Sequence, residues 1–184
     1  MPKTVLRLTT AFSFTAAIIT GMLFRCFNRD IYLTLAVTSG TTAWHLGIRL
    51  LAGLLFNITM KNRADYTKKW FQLRSWEKPL YRFLNVKAWK NKMPTYNPET
   101  FSPKNHTWDE IAQAMCQSEL VHETNMLLSF APLIAVRWFG SFYVFLLTSI
   151  GGCIFDLVFV IMQRYNRARV IKIALKKRQM RHNE

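Results

Sequence analysis

The chain has 184 residues, of which 51% are hydrophobic and 14% aromatic, yet 25 Lys and Arg face 10 Asp and Glu, for a net charge of +15. The apolar content excludes an intrinsically disordered chain, and three scattered cysteines exclude a disulfide scaffold. A nucleic-acid-binding domain would explain the charge but not the long runs in which the apolar residues lie.

Two of these runs, in the N-terminal third of the chain, are long enough to cross a bilayer. Residues 8–24 contain no charged residue, and residues 31–56 contain only Arg49. A hydrocarbon core of about 30 Å needs about 20 helical residues. The sequence therefore predicts a first membrane helix over residues 5–24 and a second over residues 31–56.

The first run also has the features of a secretory signal peptide, because Lys3 and Arg7 precede it. However, no small-x-small cleavage site precedes Arg25, and a second apolar run follows almost at once. We therefore expect the first helix to be retained as a membrane helix.

Two further apolar stretches lie in the C-terminal half. Residues 125–136 are too short to span a bilayer alone, so they either finish a helix that begins at Trp108 or form a re-entrant segment. Residues 138–162 contain a single charged residue, Asp156. We predict a helix over 108–136 that enters the membrane and a further membrane helix over 138–162. The predicted fold is all-α: one integral membrane domain over the whole chain, with about four transmembrane helices and additional interfacial amphipathic helices.

The distribution of basic residues predicts the orientation. Residues 57–110 contain 11 Lys and Arg against 5 acidic residues, and residues 163–184 contain 8 against one. Cytoplasmic loops carry an excess of Lys and Arg, so both blocks are expected in the cytoplasm. The sequence therefore predicts a multi-pass protein of the cell membrane with both termini in the cytoplasm. Its predicted partners include the lipid bilayer.

Residues 66–93 interleave aromatic and basic residues. Aromatic rings favour the headgroup level and each basic side chain gains about 1 kcal/mol near anionic lipid, so a belt on the membrane surface accounts for the segment. Alternatively, some of the cations bind a phosphate or carboxylate substrate. Single-stranded nucleic acid also favours this pattern, but the neighbouring membrane helices make a nucleic-acid partner unnecessary.

The helix after Thr107 carries two ionisable residues on its apolar stripe. Glu119 and His122 are three residues apart and can touch. A carboxylate bonded to one imidazole nitrogen leaves the other nitrogen basic, which favours His122 as a general base oriented by Glu119. The pair could equally be structural, and a metal site would need ligands that the sequence does not supply. Gln117 is expected on the opposite, outer face of the helix. Cys116 could serve as a thiol nucleophile, but a small buried cysteine on a helix is ordinary.

The last apolar run is followed by a polar segment, residues 163–169, that reads Gln-Arg-Tyr-Asn-Arg-Ala-Arg. It has more hydrogen-bonding groups than membrane anchoring requires, and the forked arginine side chain suits phosphate or carboxylate groups. Beyond it the pattern is basic and amphipathic. We therefore predict that residues 163–182 form a tail helix on the inner leaflet.

Three segments resemble those of the glycosyl-4,4'-diaponeurosporenoate acyltransferase family, which consists of small membrane proteins of staphyloxanthin-type carotenoid biosynthesis. Residues 86–92 are similar to the family's Lys-x-Trp-Lys segment, residues 118–122 to its Ala-Glu-x-x-His segment, and residues 163–169 to its Gln-Arg-Tyr-Asn-Arg-Pro-Arg segment. Their order and approximate spacing also agree, over about residues 66–182.

The resemblance implies a membrane enzyme that esterifies a hydroxyl of a membrane-embedded glycolipid, such as a glycosyl carotenoid, with a fatty acyl group. His122 would take the proton of the acceptor hydroxyl and Glu119 would hold the imidazolium. The acyl donor would be acyl-CoA, an acyl-carrier protein or a phospholipid, with no metal or other cofactor. The residues expected to bind substrate or donor are Gln163, Arg164, Tyr165, Asn166, Arg167, Lys87, Trp89 and Lys90. The alternative is a non-enzymatic membrane scaffold or lipid-binding subunit, in which Glu119 and His122 matter only for folding.

Overall fold

The computed structural model describes residues 3–182, except for the side chains of Arg178, Arg181 and His182, and each regular element in this range is a helix. The α-helices are α1 (Lys3–Phe27), α2 (Asp30–Met60), α3 (Glu77–Phe83), α4 (Val86–Trp89), α5 (Trp108–Leu128), α6 (Val136–Phe139) and α7 (Phe142–His182). Short 3-10 helices cover Lys69–Phe71, Lys90–Lys92, Pro98–Phe101 and Ala131–Ala135. Since residues 3–182 contain no strand, the predicted all-α fold is confirmed.

Three helices are long and apolar enough to cross a membrane. They are α1, α2 and, within α7, the stretch Phe142–Lys177. Their apolar side chains face outward: none of the residues of α1 is buried, and Phe12 and Leu147 are 76% and 67% exposed. Exposed apolar surface on this scale is unfavourable in water and favourable in lipid. The prediction of an integral membrane protein is therefore confirmed.

The predicted number of membrane helices is wrong: within residues 3–182 there are three candidate spans and not four. The helix predicted over 108–136 stops at Leu128, because the following segment contains Pro132, which has no backbone N–H and cannot continue a helix. After the four residues of α6, Gly140 and Ser141 adopt positive φ angles of 63° and 51° and separate α6 from α7.

The predicted boundary at residue 163 is also absent. We expected a membrane helix over 138–162 and a separate tail helix over 163–182, but α7 runs through both as one helix of 41 residues. After Gly152 the sequence contains no Gly or Pro, and it is rich in Arg, Lys, Leu and Ala, which favour helix. Nothing in the sequence ends the helix where the apolar run ends, so the basic tail is the continuation of α7.

The chain forms two compact units. The first comprises the chain up to Ala52 together with Thr124–Asp156, and the second comprises Gly53–Glu123 together with the chain from Leu157 onward. All residues that the sequence predicted as catalytic or substrate-binding belong to the second unit.

In the first unit, small residues bring α1 and α2 together. A methyl group placed on Gly40 would lie 3.9 Å from Cβ of Ala17, and one placed on Gly47 would lie 3.9 Å from Cγ2 of Thr10. Small residues let the backbones of membrane helices approach closely. The seven-residue spacing on both helices therefore defines an antiparallel α1–α2 contact.

In the second unit, a small hydrophobic core holds α5 against α7 and the segment before α3. It consists of Ala64, Tyr66, Phe71, Ile111, Ala112, Met115, Cys116 and Val170. Gln117, which was predicted to face outward, is buried, and its Oε1 accepts a hydrogen bond of 2.7 Å from the backbone N–H of Asn62. α5 is thus enclosed on more sides than its apolar stripe alone predicts.

Candidate functional site

The start of α5 fixes the register of the site. The backbone N–H of Glu110 donates to Oγ1 of Thr107 at 3.3 Å, and the backbone N–H of Thr107 donates to Oε2 of Glu110 at 2.7 Å. This reciprocal capping box confirms Thr107 as the N-cap. The same bonds to Thr107 lower the pKa of Glu110. Glu119 then lies about three turns into the helix, inside the second unit.

Glu119 is fully buried and bound by two arginines from α7. Its Oε2 accepts a hydrogen bond from Nη1 of Arg167, and its Oε1 lies 3.5 Å from Nε of Arg164. Nη2 of Arg164 lies 3.5 Å from Oε1 of Glu77, the buried first residue of α3. We call Glu77, Glu119, Arg164 and Arg167 the Glu–Arg cluster.

Backbone carbonyls of the 3-10 helix before α3 accept a further hydrogen bond from each arginine. Nη2 of Arg167 donates to the carbonyl oxygen of Phe71 at 2.6 Å, and Nη2 of Arg164 donates to that of Trp70 at 2.8 Å. The Tyr81 hydroxyl in turn donates to Oε2 of Glu77 at 2.6 Å. The cluster therefore ties α3, α5 and α7 to one loop through charge-assisted hydrogen bonds, which are about twice as strong as neutral ones.

Burial and the neighbouring positive charges shift the pKa of Glu119 in opposite directions. Burial raises the pKa of Glu119 to about 7, whereas the guanidinium groups of Arg167 and Arg164 lower that pKa. Burial also raises the pKa of Tyr81, and its hydrogen bond to Glu77 raises it further. A buried carboxylate stays ionised only where partners compensate its lost hydration. The charge on Glu119 therefore depends on the two arginines.

A basic cleft of about 700 Å³ opens beside the Glu–Arg cluster. Its lining includes Phe71, Gln72 and Tyr81 but no Asp or Glu. The cationic residues that line it are Lys78, Arg82, Lys87, Arg164, Arg167, Arg169 and Lys172. Cations from α3, from α4 and from α7 thus converge on one concave surface, an arrangement that favours a ligand with more than one negative charge.

A second group of predicted residues lies close by. Nζ of Lys90 donates to Oδ1 of Asn166 at 2.8 Å and lies 5.6 Å from the centre of the Tyr165 ring. Tyr165 in turn meets the Tyr81 ring edge-on at 5.8 Å. Burial, and to a lesser degree Arg169, lower the pKa of Lys90. The segments 86–92 and 163–169, far apart in the sequence, are therefore joined in the structure.

A model of the glycosyl-4,4'-diaponeurosporenoate acyltransferase family matches residues 67–176, more than half of the chain. This chain belongs to that family. Searches of curated proteins and of solved structures found no match.

The matched range contains α3 to α6, all of the Glu–Arg cluster and all the cations of the basic cleft. It also contains the three segments on which the resemblance was recognised, so the recognition is confirmed. Membership in the family indicates an acyltransferase that acts in carotenoid biosynthesis.

Glu119 and His122 have different partners among their described contacts, and their predicted pairing stays a prediction. Glu119 uses its carboxylate for Arg164 and Arg167, while the half-buried His122 stacks on the Phe159 ring, with 4.8 Å between ring centres and planes 9° apart. Glu119 is therefore placed to neutralise the two arginines. The role of His122 as a base stays a prediction.

The other predicted site residues separate into two groups. Gln163 is buried and donates to Oγ of Ser118 at 3.1 Å, which joins α7 to α5 one residue from Glu119. Trp89 donates instead to the carbonyl oxygen of Leu84, five residues away, and so closes the α3–α4 turn. Gln163 thus supports the cluster, whereas the described contact of Trp89 is local.

Sequence reasoning missed Glu77 and Tyr81, which complete the cluster. The available signal was that Glu77 is the only acidic residue between Asp65 and Glu99, in an otherwise basic segment. A single acid among cations is an obvious partner for arginines from another helix, but the spacing does not show which arginines those are.

Two chemical alternatives can be compared with the geometry. Cys116 is fully buried, and burial raises the pKa of its thiol to about 12, so it lacks the thiolate character of a nucleophilic cysteine. Within residues 3–182, no group of three or more His, Cys, Asp or Glu side chains is arranged to hold a metal ion.

Proposed function

We propose that this chain transfers a fatty acyl group from an activated donor to a hydroxyl of a membrane-embedded glycolipid, such as a glycosyl carotenoid. The family match over residues 67–176 carries the proposal, because it covers the whole Glu–Arg cluster and the basic cleft. The three apolar helices support it further, since both acceptor and product of such a reaction stay in the lipid.

In the proposed reaction the acceptor hydroxyl oxygen attacks the acyl carbonyl carbon of the donor. The new ester bond forms as the bond between that carbon and the donor's carrier breaks. His122 takes the hydroxyl proton and returns it to the leaving group, so the imidazole is unchanged after each turnover. Its stacking on Phe159 holds the ring in one orientation, which is what proton transfer from a bound substrate requires.

The basic cleft is the proposed donor site. Phosphate groups, present in acyl-CoA, in the arm of an acyl-carrier protein and in phospholipids, fit a concave surface with converging cations and no lining carboxylate. Arg164 and Arg167 are among the residues that line the cleft, and the carboxylates of Glu77 and Glu119 hold their guanidinium groups in place. Preorganised donors of this kind stabilise charge without rearrangement during the reaction.

The non-enzymatic scaffold has one observation in its favour: the Glu–Arg cluster satisfies its own charges, so it stabilises the second unit whether or not catalysis occurs. It offers no reason for the cations of the cleft to converge. We therefore regard acyl transfer as the better supported function.

The cleft predicts that donor binding depends on particular cations rather than on total charge. Replacing Lys87 and Lys172, both exposed in the cleft, with glutamine is expected to raise the donor KM about ten-fold with little change in kcat. The matched control replaces Lys176 and Lys177, exposed cations on the same helix that do not line the cleft. The measurement is steady-state acyl transfer in matched detergent micelles, and equal effects of the two double variants would contradict a localised donor site.

The proposed orientation places both basic blocks in the cytoplasm, in agreement with the hydrogen bonds of Trp70 and Lys90 with Arg164 and Asn166. Since α1, α2 and α7 are three spans, this orientation requires residues 124–141 to carry the chain across the membrane to the start of α7. A single cysteine at Asn97, in a chain without the three native cysteines, is expected to react with an impermeant maleimide only after the membrane is opened. A single cysteine at Asn28, in the exposed turn between α1 and α2, should react in intact cells. Labelling with the opposite pattern would reverse the orientation.

A further inference from the structure

Polar side chains also gather in the first unit, in the part of the chain that is otherwise apolar. They come from α2, from the end of α5 with the residue after it, and from α7. We call them the polar cluster: His45, Arg49, Asn125, Ser129, Ser149 and Asp156. Asn125, Ser129, Ser149 and Asp156 are each at most 1% exposed. Ionisable and polar groups at membrane depth are costly, so they are candidates for a function.

One ion pair balances the formal charge of the polar cluster. Nη2 of Arg49 lies 2.6 Å from Oδ2 of Asp156 and donates to the carbonyl oxygen of Gly152 at 3.3 Å. Arg49 also donates to the carbonyl oxygen of His45, one turn before it. With these charges neutralised, the cluster offers no excess charge to a ligand, unlike the basic cleft of the second unit.

The backbone of α7 approaches the other two segments most closely at Gly152. A methyl group there would lie 3.0 Å from Nδ1 of His45 and 3.0 Å from Oγ of Ser129, whereas one on Gly151 would meet nothing within 4 Å. The Trp44 indole N–H donates to the carbonyl oxygen of Leu128 at 3.0 Å and ties α2 to the end of α5. The three segments therefore meet near Gly152, His45 and Ser129.

Several of these buried atoms have no hydrogen-bond partner. They are both ring nitrogens of His45, both amide atoms of Asn125, the hydroxyl oxygen of Ser149 and Nε of Arg49. A buried polar group without a partner costs about 1–3 kcal/mol, and native proteins contain few of them. Six such atoms on three packed segments indicate that a bound molecule completes their hydrogen bonds.

The type of atom indicates the type of ligand. The Asn125 amide both donates and accepts, the Ser149 hydroxyl does the same, and a neutral His45 imidazole has one donor and one acceptor. A neutral molecule with several hydroxyl groups matches such a mixed set. A phosphate or carboxylate would leave the acceptors facing its negative charge.

We propose that the polar cluster binds the hydroxyl-bearing headgroup of a neutral glycolipid, with Asn125, Ser149 and His45 as its hydrogen-bonding residues. The inference rests on the proposed function, for which it supplies an acceptor site distinct from the donor cleft.

The test uses a dodecyl β-glucoside with a diazirine near its headgroup, as a photoreactive probe of the protein in lipid nanodiscs. Saturable labelling is expected, with competition by dodecyl β-glucoside and none by dodecanol. Replacing Ser149 with alanine should weaken labelling about five-fold, since one neutral hydrogen bond contributes about 1 kcal/mol, and Asn125→Leu should weaken it more. The control is Thr148→Ala, which removes an exposed hydroxyl next to Ser149 and should leave labelling unchanged.

Stability distinguishes a ligand site from a structural network. Without the probe, Ser149→Ala should keep or raise the midpoint of thermal unfolding, by about 2–4 °C where an unpartnered group is removed. A lower midpoint for Ser149→Ala, or labelling equal to that of the wild type in both variants, would overturn the proposal. Glucoside binding that depends on Asn125 and Ser149 would stand even if the protein transferred no acyl group, so the two proposals fail separately.

Discussion

Replacing His122 with alanine is expected to lower acyl transfer by about 100- to 10,000-fold, the usual contribution of a general base. Without the imidazole, the acceptor hydroxyl has to lose its proton to water, and the attacking oxygen stays weakly nucleophilic. The Glu–Arg cluster does not depend on His122, so the variant should insert in the membrane and remain monodisperse. Turnover by purified protein in matched micelles measures the effect.

The Phe159 ring provides a control for this prediction. His122→Phe keeps a flat aromatic ring for the stack at 4.8 Å but has no nitrogen to take a proton. If His122 is the base, the phenylalanine variant should be as inactive as the alanine variant. Recovery of turnover by phenylalanine would show that His122 acts through packing and would favour the structural role.

The membrane helices could be predicted from the sequence where one physical effect dominates. Residues 8–24 and 31–56 are apolar and almost free of charge, and both lie within single helices of the expected kind. The predicted end of α5 was wrong because hydropathy favours a longer helix there and the backbone chemistry does not. Residues 125–136 are apolar enough to extend a helix, but Pro132 has no N–H to donate and the helix stops at Leu128.

α7 is longer than predicted because the polarity of the sequence changes along it while the helix propensity does not. Its composition changes abruptly from apolar to basic near Gln163, which indicated a change of element. Helix propensity does not change there, because Arg, Lys, Leu and Ala are all good helix formers. A change from apolar to basic residues therefore marks where the surroundings of a helix change. The helix itself continues until Gly, Pro or tertiary contacts terminate it.

The members of the candidate site were predicted from the sequence, but the ion pairs of Glu119 with Arg164 and Arg167 were not. Glu119, Arg164 and Arg167 were chosen for their charge and position, and the structure places them together. The predicted partner of Glu119 relied on a three-residue spacing, and such local pairs contribute only about 0.2–0.5 kcal/mol. Two guanidinium groups from a helix more than 40 residues away compensate a buried carboxylate far better, and spacing carries no information about such contacts.

Glu119 is expected to matter for stability at least as much as for activity. Replacing it with leucine leaves the 2%-exposed Arg167 without its carboxylate, and breaking one side of a buried pair costs about 3–5 kcal/mol. The midpoint of thermal unfolding in nanodiscs should therefore fall by about 10 °C. Glu99→Gln, which alters an exposed acid, should change stability by no more than about 0.5 kcal/mol.

The double variant Glu119→Leu/Arg167→Met then tests whether the loss comes from the pair. Removing both charges is expected to recover more than half of the lost stability, but not all of it, because the Phe71 carbonyl oxygen loses its donor at 2.6 Å. A double variant as unstable as Glu119→Leu alone would show that the buried pair is not the source. Once folding is recovered, activity separates the two roles of Arg167. A stable double variant with a raised donor KM would support Arg167 as part of the donor site, whereas unchanged turnover would limit the Glu119–Arg167 pair to stability.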